Sequence, residues 1–208
     1  HFDQIPPDLR GAMRFEAGYG AALGVQDDDL ARRFGGVASR EELLASSDVV
    51  LLPKPQPEDL REMGEGSTLW GWPHCVQGPE ITQVAIDRRL TLIAWEAMFA
   101  WSGSGEEGMH LFDRNNEMAG YCGVIHGLGL IGLSGLYGPP RHACVISHGS
   151  VSRGAIFALR GRGFSSITVY TQRPPWAVHD KIPDCRYGQL HRSRDGAHEV
   201  ELDGARRP

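Results

Sequence analysis

Residues 143–173 read ACVISHGSVSRGAIFALRGRGFSSITVYTQR. The apolar runs at 143–146 and 166–170 are typical of strands, and the segment 151–160 between them is typical of a helix that ends at Gly161. A strand, a glycine turn, a helix and a second strand form a β-α-β unit, whose strands lie parallel in one sheet. This stretch therefore predicts an α/β fold.

The alternation of strands and helices continues on both sides of this unit. The further strands are predicted at 13–16, 48–52, 68–71 and 91–94, and the further helices at 27–34, after a capping box at 39–42, at 79–89 and at 117–136. The uninterrupted apolar run 48–52 is typical of a parallel strand covered on both faces, and the glycine-rich helix 117–136 is expected to be buried. Residues 185–204 resemble a polar hairpin.

Composition and charge argue against several classes of protein. The chain has 208 residues, a formal net charge of −5 and a pI of about 6.0, whereas nucleic-acid binders usually carry a basic face. No apolar run approaches the roughly 18 residues of a transmembrane helix, so no membrane partner is expected. The four cysteines form no C-x-x-C pair and no metal site is predicted; such widely spaced thiols favour a cytoplasmic location.

The turn between the strand and helix of the β-α-β unit carries the strongest chemical signal. Dinucleotide-binding proteins have G-x-G-x-x-G/A at this junction, and backbone amides at the start of the helix receive phosphate. Serines occupy the first and third of these places here, and Gly149 occupies the central one; the alternative is a plain tight turn. The predicted cofactor-binding residues of this turn are Ser147, His148, Gly149, Ser150, Val151 and Ser152.

The end of the second strand distinguishes between the nicotinamide cofactors. An acidic residue there would bind the ribose 2′-OH of NAD. This chain has Thr171, Gln172 and Arg173 and no acid, and the planar guanidinium of Arg173 suits the 2′-phosphate of NADP. NADP(H) is therefore favoured over NAD(H), and the alternative for Arg173 is an exposed loop arginine.

Two residues in the first half of the chain follow predicted strands and could carry chemistry. Lys54 lies between two prolines after the strand 48–52, and His74 follows the strand 68–71. Ligands of parallel sheets bind beyond the carboxyl ends of the strands. Lys54 could bind a carboxylate or carbonyl oxygen and His74 could exchange a proton. A surface charge and a satisfied loop imidazole remain the alternatives.

Several segments together resemble a known family. They are 16–20 (EAGYG), 51–55 (LLPKP), 71–74 (GWPH), 94–96 (AWE), 116–120 (NEMAG) and the turn 147–154. In this order the chain resembles the alanine dehydrogenase / transhydrogenase α-subunit superfamily. The serine-substituted turn and the missing acid are similar to the N5-(carboxyethyl)ornithine synthase branch, which uses NADPH.

The resemblance implies two Rossmann-like domains with parallel sheets and an active site in the cleft between them. Residues 1–115 would form the substrate domain, and residues 116–208 a linker helix and the first part of the NADP-binding domain. Lys54 matches the family lysine that holds the keto acid, His74 the catalytic histidine and Glu96 a position near that site. Asn116 lies where family members touch the nicotinamide. Family members are nearly twice this length, so the chain is expected to be a fragment of a longer enzyme.

These observations predict an NADPH-dependent oxidoreductase that reduces the imine formed from a 2-keto acid and an amine or amino acid. An alanine-dehydrogenase-like reaction with ammonia, a non-catalytic nucleotide-binding module and an S-adenosylmethionine-dependent methyltransferase are the alternatives. By analogy with the family, a homo-oligomer is expected.

Overall fold

The computed structural model describes residues 2–192 and 196–207. It divides into two compact units, His1–Phe99 and Ala100–Pro208, which we call the N-terminal unit and the C-terminal unit. The boundary predicted from the sequence lies further along the chain, between residues 115 and 116. No helix in the described part of the chain is both long and apolar enough to cross a membrane.

From residue 2 onward, the N-terminal unit contains five short α-helices and five strands. The helices α1 to α5 are Pro7–Arg10, Asp27–Arg33, Arg40–Ser46, Pro57–Glu62 and Pro79–Asp87. The strands β1 to β5 are Phe15–Glu16, Val37–Ala38, Val49–Leu52, Thr68–Gly71 and Thr91–Ala94. The hydroxyl of Ser39 accepts a hydrogen bond from the backbone N–H of Glu42 at 3.2 Å, so the predicted N-cap of α3 is present.

Strands β3, β4 and β5 form the main sheet of this unit, in that order and all parallel. Their register aligns Leu52 with Gly71 and Gly71 with Ala94, so the three carboxyl ends lie side by side. The helices α3, α4 and α5 pack on one face of the sheet. The buried core there consists of Leu44, Val50, Leu60, Met63, Leu69, Ile81, Val84 and Ala85.

The prediction that strand 48–52 is covered on both faces is wrong for the part of the chain that the structure describes. Val50 is buried, but Val49 is 52% and Leu51 53% exposed. Side chains alternate between the two faces of a strand, and the helices that pack on this sheet all bury the face that carries Val50. Ile93 of β5 is also exposed.

The C-terminal unit is built around a five-stranded sheet. Strand β6 (Phe99–Trp101), which begins at the boundary, pairs with β7 (Glu107–His110). Then follow α6 (Asp113–Leu130), β8 (His142–Ile146), α7 (Ser150–Gly161), β9 (Ser166–Thr171), β10 (Arg186–Arg192), β11 (His198–Leu202) and β12 (Ala205–Arg207). The sheet order is β12-β11-β10-β9-β8. Strands β8, β9 and β10 are parallel, and β11 and β12 are antiparallel to their neighbours.

The structure confirms the β-α-β unit predicted at 143–170 and the hairpin predicted near the C-terminus. Helix α7 packs on the sheet through a core that includes Ile156, Leu159, Val145 and Val169. The connection 172–185 from β9 to β10 contains only a short 3-10 turn at Pro175–Ala177, and its Ile182 joins the same core. A loop therefore occupies the place that a second helix takes in a Rossmann fold.

Helix α6 differs from its prediction in both extent and burial. It begins four residues earlier than expected, at Asp113, and ends at Leu130, two residues before Gly132 adopts a left-handed φ of 60°. Only Gly120 is buried within it. Of the glycines that suggested a tightly packed helix, Gly120 approaches the backbone of α7 at Val151, and Gly135, beyond the end of α6, approaches the backbone of Gly163.

Candidate functional site

A groove of about 470 Å³ lies over the carboxyl ends of β8 and β9 in the C-terminal unit. Its lining consists of Ile146, Ser147, His148, Gly149, Tyr170, Thr171, Gln172, Arg173 and Leu190. The structure thus brings the predicted turn together with the predicted strand end. None of the described residues that line the groove is acidic.

The turn that forms one wall of the groove has a serine in a left-handed backbone conformation at the place of the first fingerprint glycine. Ser147 adopts a left-handed backbone with φ of 83°, and its N–H donates to the carbonyl of Tyr170 at 2.6 Å. Gly149 is the N-cap of α7, and a Cβ added at Gly149 would meet nothing within 4 Å. The space in front of Gly149 is therefore open to a ligand.

The residues directly after Gly149 form the first turn of α7. The hydroxyl of Ser150 donates to Asp113, and the hydroxyl of Ser152 donates to the carbonyl of Ile146 at 3.4 Å. Both serine side chains are thus engaged within the protein. The backbone N–H groups of Ser150, Val151 and Ser152 lie at a helix N-terminus, where such groups lack helical partners and favour anions.

His148 contributes backbone, and not its ring, to the groove. Its side chain is fully buried, with the ring edge-on to Tyr187 at 5.2 Å and Nε2 3.3 Å from the carbonyl oxygen of Asp180. Asp180 also binds Arg153, whose Nη1 lies 2.7 Å from the carboxylate. These contacts tie the loop 172–185 to the turn.

Arg173 closes the other end of the groove. Its Nη2 donates to the carbonyl of His148 at 3.2 Å, so the exposed side chain turns back toward the turn 147–149. Thr171 is buried, and its hydroxyl accepts from the N–H of Arg173 at 3.4 Å. The carbonyl of Gln172 accepts from Nε2 of Gln189 at 3.1 Å. The strand end is therefore held in a defined conformation with a guanidinium beside the groove.

Asn116, the remaining predicted cofactor contact, lies at the end of the first turn of α6 and is half-buried. It does not line the groove. Its contact with a nicotinamide remains a prediction.

The N-terminal unit places Lys54, His74 and Glu96 at the same edge of its sheet. Each follows the carboxyl end of a different strand, and the register of β3, β4 and β5 aligns those ends. Lys54 Nζ lies 5.3 Å from the ring centroid of Trp72, within the range of a cation–π interaction. Trp72 meets Trp95 edge-to-face, with ring centroids 4.7 Å apart.

His74 and Glu96 are in direct contact. The backbone N–H of His74 donates to Oε1 of Glu96 at 2.7 Å, while Nδ1 of the ring is 3.9 Å from the same oxygen. His74 has a left-handed φ of 49°. Its imidazole is 45% exposed, so it can reach a ligand at this edge.

Sequence reasoning missed four residues that build these sites. Trp72 and Trp95 each stand directly after a strand, in the pairs Gly71-Trp72 and Ala94-Trp95, and this shared offset could have indicated their contact. Asp113 and Asp180 carried no local signal, because each reaches its partner across more than 25 residues of chain. Within residues 2–192 and 196–207, no group of three His, Cys, Asp or Glu side chains is placed to hold a metal ion.

Comparison with known proteins confirms the resemblance seen in the sequence. No protein-family model matches the chain. The N(5)-(carboxyethyl)ornithine synthase of Lactococcus lactis subsp. lactis is 25% identical over 173 residues, which cover 79% of this chain and 52% of that protein. The enzyme of the same name from Clostridium botulinum is 22% identical over 173 residues, covering 74% of this chain and 52% of that protein.

Solved structures share the fold. A transhydrogenase from Sinorhizobium meliloti has a TM-score of 0.56 and 18% identity over 77% of this chain and 50% of its own. An L-alanine dehydrogenase has a TM-score of 0.53 and 19% identity over 76% of this chain and 45% of its own. The chain thus spans about half the length of the curated relatives that it matches.

Proposed function

We propose that this protein is an NADPH-dependent oxidoreductase that acts on C–N bonds. The observation that carries the proposal is the groove over the carboxyl ends of β8 and β9, which is lined by the open glycine that caps α7 and by an arginine. The similarity to N(5)-(carboxyethyl)ornithine synthases supports an oxidoreductase and supplies the class of reaction.

The residues of the groove fit a dinucleotide that carries a 2′-phosphate. The N–H groups at the start of α7 would bind the pyrophosphate, and Gly149 leaves room for its close approach. Arg173 would bind the 2′-phosphate through its planar guanidinium. An acid that would bind a free 2′-OH and repel that phosphate is missing from the described lining.

The reaction that we assign joins a 2-keto acid to an amine. The amine displaces the carbonyl oxygen as water to give an imine, and reduction of the imine adds a hydride to carbon and a proton to nitrogen. The bound nicotinamide would supply the hydride. Lys54 would hold the carboxylate or carbonyl oxygen of the keto acid through its ammonium, which Trp72 steadies. His74 would donate protons to the departing oxygen and accept them from the attacking nitrogen.

Calorimetric titration of the chain with NADPH, NADH and S-adenosylmethionine tests the cofactor assignment. We expect NADPH to bind at least about tenfold more tightly than NADH, a difference of about 1.4 kcal/mol. A preference for NADH would move the reaction toward that of an alanine dehydrogenase. Binding of S-adenosylmethionine alone, or of no nucleotide, would overturn the proposal.

A pair of glycine variants locates the binding. Gly149→Ala adds a methyl group to the space that the pyrophosphate would enter, and we expect NADPH affinity to fall about tenfold or more while the melting temperature changes little. Gly161→Ala, at the other end of α7, also adds its Cβ to open space and serves as the control. Equal NADPH affinities for the two variants would place the nucleotide elsewhere.

Turnover separates an enzyme from a binding module. Consumption of NADPH is followed with a 2-keto acid and either ammonia or a diamino acid such as ornithine as the amine. We expect Lys54→Ala and His74→Ala to abolish turnover and leave NADPH binding unchanged. A chain that binds NADPH but reduces no imine with any keto acid would be a nucleotide-binding module.

A further inference from the structure

We propose that Glu96 is a positioning residue, whose carboxylate holds the backbone of His74 in a left-handed conformation and so directs the imidazole. The inference deepens the proposed function and rests on it for the role of His74. It is carried by a contact between two neighbouring strand ends that lies wholly within the N-terminal unit.

The distances show through which atoms Glu96 acts. Oε1 of Glu96 accepts the backbone N–H of His74 at 2.7 Å, a short bond typical of a charged acceptor. The ring Nδ1 of His74 is 3.9 Å from the same oxygen, too far for a hydrogen bond. The carboxylate therefore binds the backbone of His74 and leaves the imidazole free to act on a ligand.

The conformation of His74 needs this support. A left-handed φ of 49° is less favourable than the right-handed or extended region for a residue with a Cβ, so contacts with the surroundings stabilise it at His74. The carbonyl of His74 is fixed by the N–H groups of Gln77 and Gly78, at 3.0 and 2.9 Å. Its N–H is fixed by Glu96. The strained residue is thus held on both sides, and Glu96 is the only one of these three partners that acts through its side chain.

The two carboxylate oxygens of Glu96 differ in their surroundings, and the side chain as a whole is 31% exposed. Its Oε2 is buried and has no hydrogen-bond partner in the structure. Glu96 itself lies in the 3-10 turn Trp95–Ala97 that follows β5, which sets its side chain beside the end of β4. The proposed role therefore requires a side chain long enough to extend from the end of β5 to the backbone beyond the end of β4.

Two conservative variants distinguish the contribution of the side-chain length of Glu96 from that of its charge. Glu96→Gln keeps an oxygen at the same distance from the backbone but removes the charge, whereas Glu96→Asp keeps the charge but is one methylene too short. The exchange rate and chemical shift of the His74 amide proton are measured by NMR on the 208-residue chain, without substrate or cofactor. Glu62→Gln, on the exposed end of α4, is the matched control.

We expect the His74 amide of Glu96→Gln to exchange within about threefold of the wild-type rate, and that of Glu96→Asp to exchange about tenfold faster or more. The reverse order would show that charge, and not reach, is what matters, and would overturn the proposal. An unchanged His74 amide in both variants would also overturn it.

Kinetics with NADPH, a 2-keto acid and an amine provide the second measurement. We expect Glu96→Gln to retain most of kcat, and Glu96→Asp to lose about tenfold or more in kcat with a smaller change in KM. If the wild-type chain shows no turnover, the proposed function fails while the amide measurement still decides whether Glu96 holds His74. If turnover is present and Glu96→Gln loses as much of kcat as Glu96→Asp, positioning through the backbone is contradicted.

Discussion

The guanidinium of Arg173 is the group that, under the proposed function, distinguishes NADPH from NADH. It is anchored through Nη2 to the carbonyl of His148, so less of its rotational freedom is lost when a phosphate binds. The planar fork of arginine can meet a phosphate with two parallel hydrogen bonds. A residue held in this way contributes to affinity only when the ligand carries the phosphate.

Removal of the Arg173 side chain should weaken the binding of NADPH but not that of NADH. We expect Arg173→Ala to lower the affinity for NADPH about tenfold or more and to leave the affinity for NADH unchanged, as measured by calorimetry. Arg162→Ala, an exposed arginine after α7, is the control for loss of one positive charge. Parallel losses for the two cofactors in Arg173→Ala would mean that the residue supports the turn and does not read the 2′-phosphate.

Trp72 should influence the keto acid through Lys54. Because the ring lies 5.3 Å from the ammonium, Trp72→Leu removes the surface that steadies Lys54. We expect KM for the keto acid to rise about threefold, corresponding to about 0.6 kcal/mol, with a smaller change in kcat. Trp176→Leu, at an exposed tryptophan in the loop 172–185, should leave both constants unchanged. A fall in kcat with constant KM would contradict this role.

At the scale of elements, the contact between α6 and α7 depends on two glycines. A Cβ at Gly120 would lie 1.9 Å from the carbonyl oxygen of Val151, and one at Gly154 would lie 1.8 Å from that of Glu117. Backbone atoms cannot move aside as a flexible side chain can. The two helices can therefore approach this closely only where both carry no side chain.

Alanine substitutions of different glycines in α6 and α7 should therefore change the free energy of unfolding in opposite directions. We expect Gly154→Ala to lower the free energy of unfolding by about 1–3 kcal/mol because the helices must separate. Gly123→Ala, on α6 with nothing within 4 Å of the added Cβ, should raise it by about 0.5–1 kcal/mol through helix propensity. Chemical denaturation of the two variants measures both changes. A neutral Gly154→Ala would show that the helices are further apart than the structure has them.

Sequence patterns predicted the elements where the signals were local. The strand, turn, helix and strand of 143–170 and the N-cap of Ser39 depend on neighbouring residues, and the structure has them. The extent of α6 was harder to predict, because its glycines give no periodic apolar face and its end depends on the left-handed backbone of Gly132. The prediction that strand 48–52 is covered on both faces was wrong, because an apolar run does not show whether one face of the strand or both are packed against other elements.

The same distinction applies to the candidate site. The turn 147–149 and the strand end 171–173 were predicted from a motif, and the groove brings them together. The bond between His74 and Glu96 and the packing of Trp72 on Trp95 join residues of different strands. Such contacts are set by the register of a parallel sheet, which a single sequence does not specify.

At the scale of the whole molecule, the N-terminal unit presents an open apolar sheet face. Val49, Leu51 and Ile93 are each more than 40% exposed, on a sheet whose other face is packed by helices. Contiguous exposed apolar surface binds hydrophobic dyes and promotes association.

A polar substitution on this face should reduce the binding of a hydrophobic dye and leave the free energy of unfolding nearly unchanged. We expect Leu51→Thr to change the free energy of unfolding by no more than about 0.5 kcal/mol, because half of the side chain is already in water. Binding of the dye ANS should decrease. Leu69→Thr, at a fully buried position of the same sheet, should by contrast destabilise the chain by about 2 kcal/mol or more. Equal destabilisation by both variants would show that the face is covered in solution.

The loop that joins β9 to β10 has a consequence for engineering. Arg173 lies near the start of this segment. Asp180, which holds the segment against the turn, lies nearer its end. Because the segment contains no long helix, it can be exchanged as a unit without removing a helix from the fold. Under the proposed function, transplanting it as one piece would transfer the preference for NADPH only into a scaffold that also supplies the partners of its anchors, His148 and Arg153.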